Sequence, residues 1–243
     1  METLIIIQAR MNSKRLPGKV LLNILDKPSI IYQVDRVKKL VDKKIKLLVA
    51  TTNNKKDDVL CDVLLKNNVP FYRGLENDVL QRFVDCSKKY KPKFIIRLNA
   101  DCPLICPKVI YDVIEILRNK KDIDYASTIL DETFPLGMHV EGIKYEVLLK
   151  INKSDLKDEE REHVTPKIYR NPNTFKLFSL KNVKNYSRFR ITIDYKEDLE
   201  VINEIAKHFL NKDFFCDDIT SFLNNNSKIS KINSFLMKQQ KLD

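Results

Sequence analysis

Leu4-Ile5-Ile6-Ile7-Gln8-Ala9-Arg10-Met11-Asn12-Ser13-Lys14-Arg15-Leu16-Pro17-Gly18-Lys19 is the stretch on which the fold turns. Its first four residues are apolar and mostly β-branched, and read as a buried strand. The rest is a loop carrying Arg10, Lys14, Arg15 and Lys19 together with one Pro and one Gly. Like charges so closely spaced repel one another, and the arrangement becomes favourable when a polyanion sits among them. A nucleoside triphosphate is the natural candidate; a solvated basic loop is the plainer alternative. In open α/β sheets the ligand crevice lies beyond the carboxyl ends of the strands, where this loop would be. Gly18 permits close backbone approach or an unusual φ, and Pro17 stiffens the chain before it. Arg10 can fork onto phosphate oxygens, and Lys19 can act as a point charge.

Working outward, strand-like runs at Leu4–Ile7, Ile45–Ala50, Pro70–Tyr72 and Phe94–Leu98 alternate with helical patterns at Ser29–Leu40, Asp57–Asn67 and Val79–Tyr90. A further helix is expected over Pro107–Arg118. Ile30, Ile31, Val34, Val37 and Leu40 recur at helical spacing, as do Val59, Leu60, Val63 and Leu64. Short apolar strands alternating with helices imply βαβ units and a mainly parallel sheet. Beyond about residue 123 the rhythm changes. Short strands are expected at Asp124–Thr128, Val140–Lys144, Phe175–Leu180 and Phe189–Ile193. Helices are expected at Glu159–Arg170, Lys196–Phe209 and Asp217–Asn224. The Asn-Ser-Lys-rich stretch 224–231 loses periodicity and is read as irregular, with a last helix around Ile232–Lys238. No Pro/Gly/Ser-rich linker and no repeat interrupts the 243 residues, which suggests one domain with an inserted sub-region at about 124–190.

Two more strand ends carry acids. Ile95-Ile96-Arg97-Leu98-Asn99-Ala100-Asp101-Cys102-Pro103 places Asp101 just past an apolar strand, at the same end of the sheet as the basic loop. Such a carboxylate can hold Mg²⁺ against triphosphate oxygens, or can cap the following turn. Arg190-Ile191-Thr192-Ile193-Asp194 delivers a second acid before a helix, either as an N-cap or as a partner to the first. Two strand-terminal aspartates and a cationic loop form a coherent phosphoryl or nucleotidyl transfer site, since metals and cations offset the charge on the phosphates. Arg73, Asp78 and Arg82 sit at another strand end and helix start, where Asp78 also suits the first-turn dipole. Arg161-Glu162-His163 and the His139 segment are dense in hydrogen-bonding groups, and both histidines read equally well as structural. His208, on a late helix, is read as a surface residue.

Composition narrows the class. The formal charge of +11 suits an anionic ligand, but the lysines fall mainly near expected helix ends. No basic tail, aromatic-interleaved basic face or nucleic-acid motif is present. No apolar run approaches a membrane span of about 18 residues, and the amino end lacks the features of a signal peptide, so a cytoplasmic location is expected. The five scattered cysteines read as reduced, mostly buried thiols. Cys102 and Cys106 lack a second ligand pair nearby in sequence for zinc. Neither the dinucleotide fingerprint nor the Walker loop follows the first strand, which disfavours a dehydrogenase or a P-loop NTPase.

The segments IIIQARMNSKRLPGKVL (5–21), VATTNNKKDDVL (49–60), FYRGLENDVLQRF (71–83), IIRLNADCPLI (95–105), FPLGMHVEG (134–142), REHVTPKIYRNP (161–172) and ITIDYKEDL (191–199), in that order, resemble the SpsF-like cytidylyltransferase family, kin to the CMP-sialic acid and CMP-KDO synthetases. The resemblance implies a Rossmann-like, three-layer mixed sheet of the nucleotide-diphospho-sugar transferase type with a small inserted subdomain, usually dimeric. It implies use of CTP and Mg²⁺ to activate an anionic sugar. Arg10, Arg15 and Lys19 would then meet the triphosphate, and Asp101 and Asp194 would be the metal ligands. Ala9, Gly18, Arg73, Asp78, Arg82 and Asn99 would line the nucleotide, while His139, Glu141, Arg161, Glu162 and His163 would border the acceptor. The chain departs from the family where Leu136 and His139 replace a frequent Arg and Asp, which bears on acceptor identity. Arg10, Lys19, Asp101 and Asp194 are the expected catalytic set. The alternatives are another nucleotide, a non-sugar phosphate or phosphonate acceptor, or a non-catalytic nucleotide or nucleic-acid binding module.

Overall fold

The computed structural model describes residues 1–239. Among these described residues nine strands occur in the order β1 (Thr3–Gln8), β2 (Asn23–Ile24), β3 (Lys27–Pro28), β4 (Ile45–Thr52), β5 (Phe71–Gly74), β6 (Phe94–Asn99), β7 (Tyr125–Ser127), β8 (Glu141–Lys144) and β9 (Leu177–Ser179). The helices are α1 (Ser29–Lys38), α2 (Asp58–Lys66), α3 (Val79–Lys88), α4 (Pro107–Asn119), α5 (Tyr145–Asn152), α6 (Asp158–His163), α7 (Pro166–Tyr169), α8 (Lys196–His208), α9 (Cys216–Asn225), α10 (Ser227–Lys231) and α11 (Leu236–Gln239). Seven strands form one sheet in the order β5-β4-β1-β6-β8-β7-β9, and β2 and β3 form a separate hairpin. β1 pairs in parallel with β4 on one side and β6 on the other. β8 runs antiparallel to β6 and to β7.

The apolar run at 4–7 is explained by this placement. β1 is central and covered on both faces, so neither set of alternating side chains can be polar. Ile5 and Ile7 enter one core with α1, α2, α4, α8 and α9. Leu4 and Ile6 enter the other with α3, α5 and the Val164–Ile168 region. The result is the three-layer mixed α/β architecture that the resemblance implied, built on the mainly parallel sheet expected from the alternating pattern. The order reverses at β1, since β4 and β5 extend to one side and β6 to the other. A crevice opens there at the carboxyl ends, between the basic loop after β1 and the turn after β6 that carries Asp101.

Three expectations fail in instructive ways. Phe189–Ile193 is not a strand; it makes a single bridge between Arg190 and Leu136. The backbone amide of Ile193 donates instead to the Asp101 carbonyl at 2.8 Å, and that of Ile191 to Leu136 at 2.7 Å, so the segment is spent tying two loops together. The helix expected over Glu159–Arg170 is broken into α6 and α7 at Val164, which has φ 70° and ψ −51°. The amide of Thr165 donates to the carbonyl of His163 across it at 2.8 Å, which is a γ-turn of the rare positive-φ kind. A β-branched residue there is strained. Full burial of Val164 in the second core supplies the compensating packing. The stretch at 224–231 is helical on both sides of Asn226, its first two residues ending α9 and the rest forming α10. No helix among the described residues is long and apolar enough to cross a membrane.

Candidate active site

The basic loop is closed on itself before it meets any ligand. The Met11 carbonyl accepts from the amides of Ser13 and Gly18, each at 3.0 Å. Gly18 adopts φ 71°, a conformation that favours glycine. The loop is pinned to the sheet by Asp57, which is buried and accepts from the Met11 amide at 2.7 Å and from the Thr52 hydroxyl. Neither Asp57 nor its role was visible in the sequence, where it reads only as one of two acids starting α2. Beside it, Glu76 accepts from Asn54 at 2.9 Å and from Asn12 at 3.4 Å.

Lys19 leaves this loop on a short 3-10 turn and reaches both acids. Its Nζ lies 2.8 Å from Asp101 Oδ2 and 2.8 Å from Asp194 Oδ1. Arg15 also meets Asp194 Oδ1, at 2.8 Å, and Arg190 meets its Oδ2 at 2.8 Å. Burial disfavours the charged Lys19, but the charges and hydrogen bonds of Asp101 and Asp194 outweigh it and hold its pKa above the ordinary lysine value. For Asp101 burial acts in the opposite direction and the Lys19 charge again prevails, so its pKa is lowered. The chain from residue 99 to 106 and the chain from 189 to 194 are held in register by the Ile193 amide and by the Thr192 hydroxyl, which donates to the Asp101 carbonyl at 3.0 Å.

Asp194 is braced from behind. Asp198, fully buried, accepts from Arg190 Nε at 2.8 Å, Arg190 at 3.0 Å, the Asp194 amide at 2.9 Å, the Tyr195 amide at 3.0 Å and Asn233 at 2.8 Å. Asp198 rather than Asp194 therefore caps α8, and Asp194, itself buried and not among the residues that line the cleft, is left to meet Lys19, Arg15 and Arg190. The sequence offered a hint in the spacing of Asp194 and Asp198, but Asn233 lies too far along the chain to be foreseen.

The cleft has a volume of about 510 Å³, within the range of small-molecule sites of ~300–1,000 Å³. It brings together Ala9, Arg10, Arg15, Lys19, Arg82, Asn99, Asp101, Glu162 and His163 from the expected set. Among the described residues Arg10 is paired only with Glu162, at 3.4 Å and exposed, a contact that stabilises little. Arg82 is buried, donates to the Leu75 carbonyl at 2.6 Å, and has no hydrogen-bond partner for its Nε among the described residues. Burial, then the neighbouring Arg10, lowers its pKa. A buried guanidinium so placed on a cleft wall suits an incoming anion. Asn99 likewise presents a buried Oδ1 without a partner among the described residues. Arg97 and Gln8 line the cleft as well. Arg97 is a charge inside an otherwise apolar strand, and that was the sequence signal available for it.

Several expected residues do other work. Arg73 does not join the cleft lining: it donates to the carbonyls of Thr52 at 2.8 Å and Asn54 at 2.9 Å, and pairs with Asp58 at 2.7 Å. It clamps β5 to the end of β4. Asp78 is the N-cap of α3, accepting from the Gln81 amide at 2.9 Å, and pairs with Arg161 at 2.9 Å. Glu141 is a buried hub that pairs with Arg97 and accepts from the hydroxyls of Tyr125, at 2.6 Å, and Thr165. It therefore supports the cleft wall and the γ-turn without itself lining the cleft. His139 lines a separate cavity of about 150 Å³ with Thr128, Glu132, Phe134, Leu136, Ser187 and Met237. Burial lowers its pKa despite the opposing charges of Glu141, Glu132 and Asp101, so it is neutral at pH 7. Arg161, Glu162 and His163 lie on α6, whose end the γ-turn fixes. The five cysteines are buried and free. Burial first, then the charge of Asp101, raises the Cys102 thiol.

Asp101 and Asp194 offer the hard oxygen donors that Mg²⁺ takes, one or two carboxylates completed by substrate phosphates and water. Among the described residues no three His, Cys, Asp or Glu groups cluster as a metal cage.

A family model described as Cytidylyltransferase matches residues 4–240. The chain is 33% identical over 240 residues to the spore coat polysaccharide biosynthesis protein SpsF of Bacillus subtilis, covering 93% of this chain and 95% of that protein. A solved cytidylyltransferase from Leptospira borgpetersenii superposes with a TM-score of 0.89 at 34% identity, covering 95% of this chain and 97% of that one. The fold alone is shared with a CMP-2-keto-3-deoxy-manno-octonic acid synthetase solved with CTP, at a TM-score of 0.66 and 17% identity, over 86% of this chain and 100% of that chain.

Proposed function

The chain belongs to the cytidylyltransferase family, a family of nucleotidyltransferases, and on that premise we propose that it transfers CMP from CTP to an anionic sugar, releasing pyrophosphate, for surface polysaccharide or glycoconjugate synthesis. The observation that carries this reading is the convergence of Arg15 and Lys19 on Asp101 and Asp194, all within contacts of 2.8 Å. In the reaction a hydroxyl or phosphate oxygen of the acceptor attacks the α-phosphorus. The bond from that phosphorus to the β-phosphate oxygen breaks, and the electron pair leaves with pyrophosphate. Where the nucleophile is a hydroxyl, its proton passes to solvent water.

Arg10, Arg15, Lys19 and Arg82 offset the negative charge of the triphosphate and of the departing pyrophosphate, with the buried Arg82 in place before substrate arrives. Ala9, on the cleft wall, lets the nucleotide lie close to the backbone, Gly18 shapes the loop that carries the cations, and Asn99 offers its buried carbonyl oxygen to a donor on the nucleotide. Mg²⁺, held by Asp101 and Asp194, would supply Lewis-acid neutralisation of the phosphate oxygens. Glu162 and His163, facing the same cleft from α6, mark the acceptor side, within a region of about 124–190 that sits on the edge of a single domain. A homodimer in the cytoplasm completes the proposal.

A pyrophosphate-release assay crossing four nucleoside triphosphates with sugar acids and sugar phosphates, in Mg²⁺, tests it. Release is expected with CTP and one acceptor class, and Asp101→Asn should lower turnover roughly 10²–10³-fold, the scale of removing one preorganised electrostatic group. Release with no pairing, or near-normal turnover in a folded Asp101→Asn protein, overturns the reading.

A further inference from the structure

The ammonium of Lys19 occupies the position between the two acids that a bridging cation would take. Its Nζ is 2.8 Å from Asp101 Oδ2 and 2.8 Å from Asp194 Oδ1. Asp194 Oδ1 is shared with Arg15 at 2.8 Å, and its other oxygen is held by Arg190 at 2.8 Å. A divalent ion approaching this pair meets a positive charge already in place, and carboxylates whose charge is already offset. The cations differ in how firmly they are held. Arg190 is almost wholly buried and anchored by Asp198 at 2.8 Å; it stays. Lys19 stands one residue after Gly18 in its φ 71° conformation, on a flexible four-carbon stem, and Arg15 is 43% exposed. Triphosphate oxygens offer both of these side chains stronger acceptors than a shared carboxylate.

We propose that Lys19 is a plug: it excludes divalent cations from the acid pair in the free enzyme and withdraws onto the triphosphate, so that metal binding is conditional on nucleotide. The proposal rests on the reading of Asp101 and Asp194 as metal ligands. The charge of Lys19 has two successive tasks. It first cancels the repulsion between two close carboxylates, and then meets the phosphates whose arrival brings the ion. Free enzyme thereby keeps its acids together without drawing on the surrounding divalent ions.

Mn²⁺ binding followed by the loss of the free-ion paramagnetic resonance signal, in the absence of nucleotide, tests this without any turnover. The unaltered protein should bind Mn²⁺ weakly. Lys19→Met should bind it roughly tenfold or more tightly, as expected from removing a unit charge a few ångströms from the ion. Adding Asp101→Asn to Lys19→Met should abolish the gain. Lys19→Gln, which keeps a donor in the gap, serves if Lys19→Met does not fold. Equal, Asp101-dependent affinity in the unaltered and Lys19-substituted proteins overturns the plug and leaves the metal site standing. So does Asp101-dependent binding in Lys19→Met that still requires CTP. Binding that ignores Asp101 in every protein, with CTP or without, overturns the metal reading and the plug with it.

Discussion

Replacing Asp198 with Asn is the sharpest probe of how the site is held. The carboxylate is fully buried, and each oxygen is committed. Oδ1 accepts from Arg190 Nε and Asn233, and Oδ2 accepts from Arg190, the Asp194 amide and the Tyr195 amide. Asparagine has nearly the same shape, but whichever way its amide turns, its NH₂ faces at least two donors. The charge opposite Arg190 is also lost, leaving Asp194 as its nearest acid. Breaking one side of a buried ion pair costs about 3–5 kcal/mol, because an uncompensated charge is left behind. In a chain of this length about 1 kcal/mol moves Tm by roughly 2–4 °C, so a fall of about 6–20 °C is expected in a thermal melt. The loss should also be visible in urea unfolding as a lower midpoint at an unchanged slope. Pyrophosphate release should fall further than stability explains, since the Asp194 amide loses the bond that sets its carboxylate. A drop of less than about 1 kcal/mol would refute the assignment of Asp198 as the neutralising group.

Gly137→Ala should destabilise by at least about 1–3 kcal/mol, because φ is 110° and a Cβ there would meet the Ile191 carbonyl oxygen at 2.5 Å; a denaturant titration checks it, and normal stability would contradict the close approach. The pH dependence follows from Asp101 and Lys19. The Asp101 pKa is lowered on folding, so its contribution to stability is present above its unfolded value of 3.8 and is lost as pH falls through the folded value. The Lys19 pKa is raised, so its contribution is present below 10.5 and is lost as pH rises through the folded value. The stability difference between the unaltered protein and Asp101→Asn should therefore be flat across neutral pH and shrink on acidification below 3.8; a difference that declines between pH 5 and 8 would count against the ion pair.

Much of the fold was legible because central strands leave a strong mark. Covered on both faces, β1, β4 and β6 cannot carry alternating polar residues, and their apolar runs announce a parallel sheet. Polar residues clustered just past Gln8 and Asn99 announce the crevice, since only strand ends reach solvent in such a sheet. The segment 189–193 misled because its period-2 alternation arises from packing one face on the core, and that does not require a strand partner. Val164 could not be anticipated: local preference opposes its φ of 70°, and only the surrounding packing compels it.

Residue types and their order along the chain were thus sufficient for the layered sheet, for the end of it where the crevice opens, and for singling out Lys19, Asp101 and Asp194. Their meeting at 2.8 Å, the bracing of Asp194 by Asp198 and Asn233, and the turn of Arg73, Asp78 and Glu141 to supporting tasks came from long-range packing alone. Sequence patterns record whether a side chain is buried, because burial selects its type. Which buried partner it meets depends on distances between segments far apart in the chain, and no local preference encodes them.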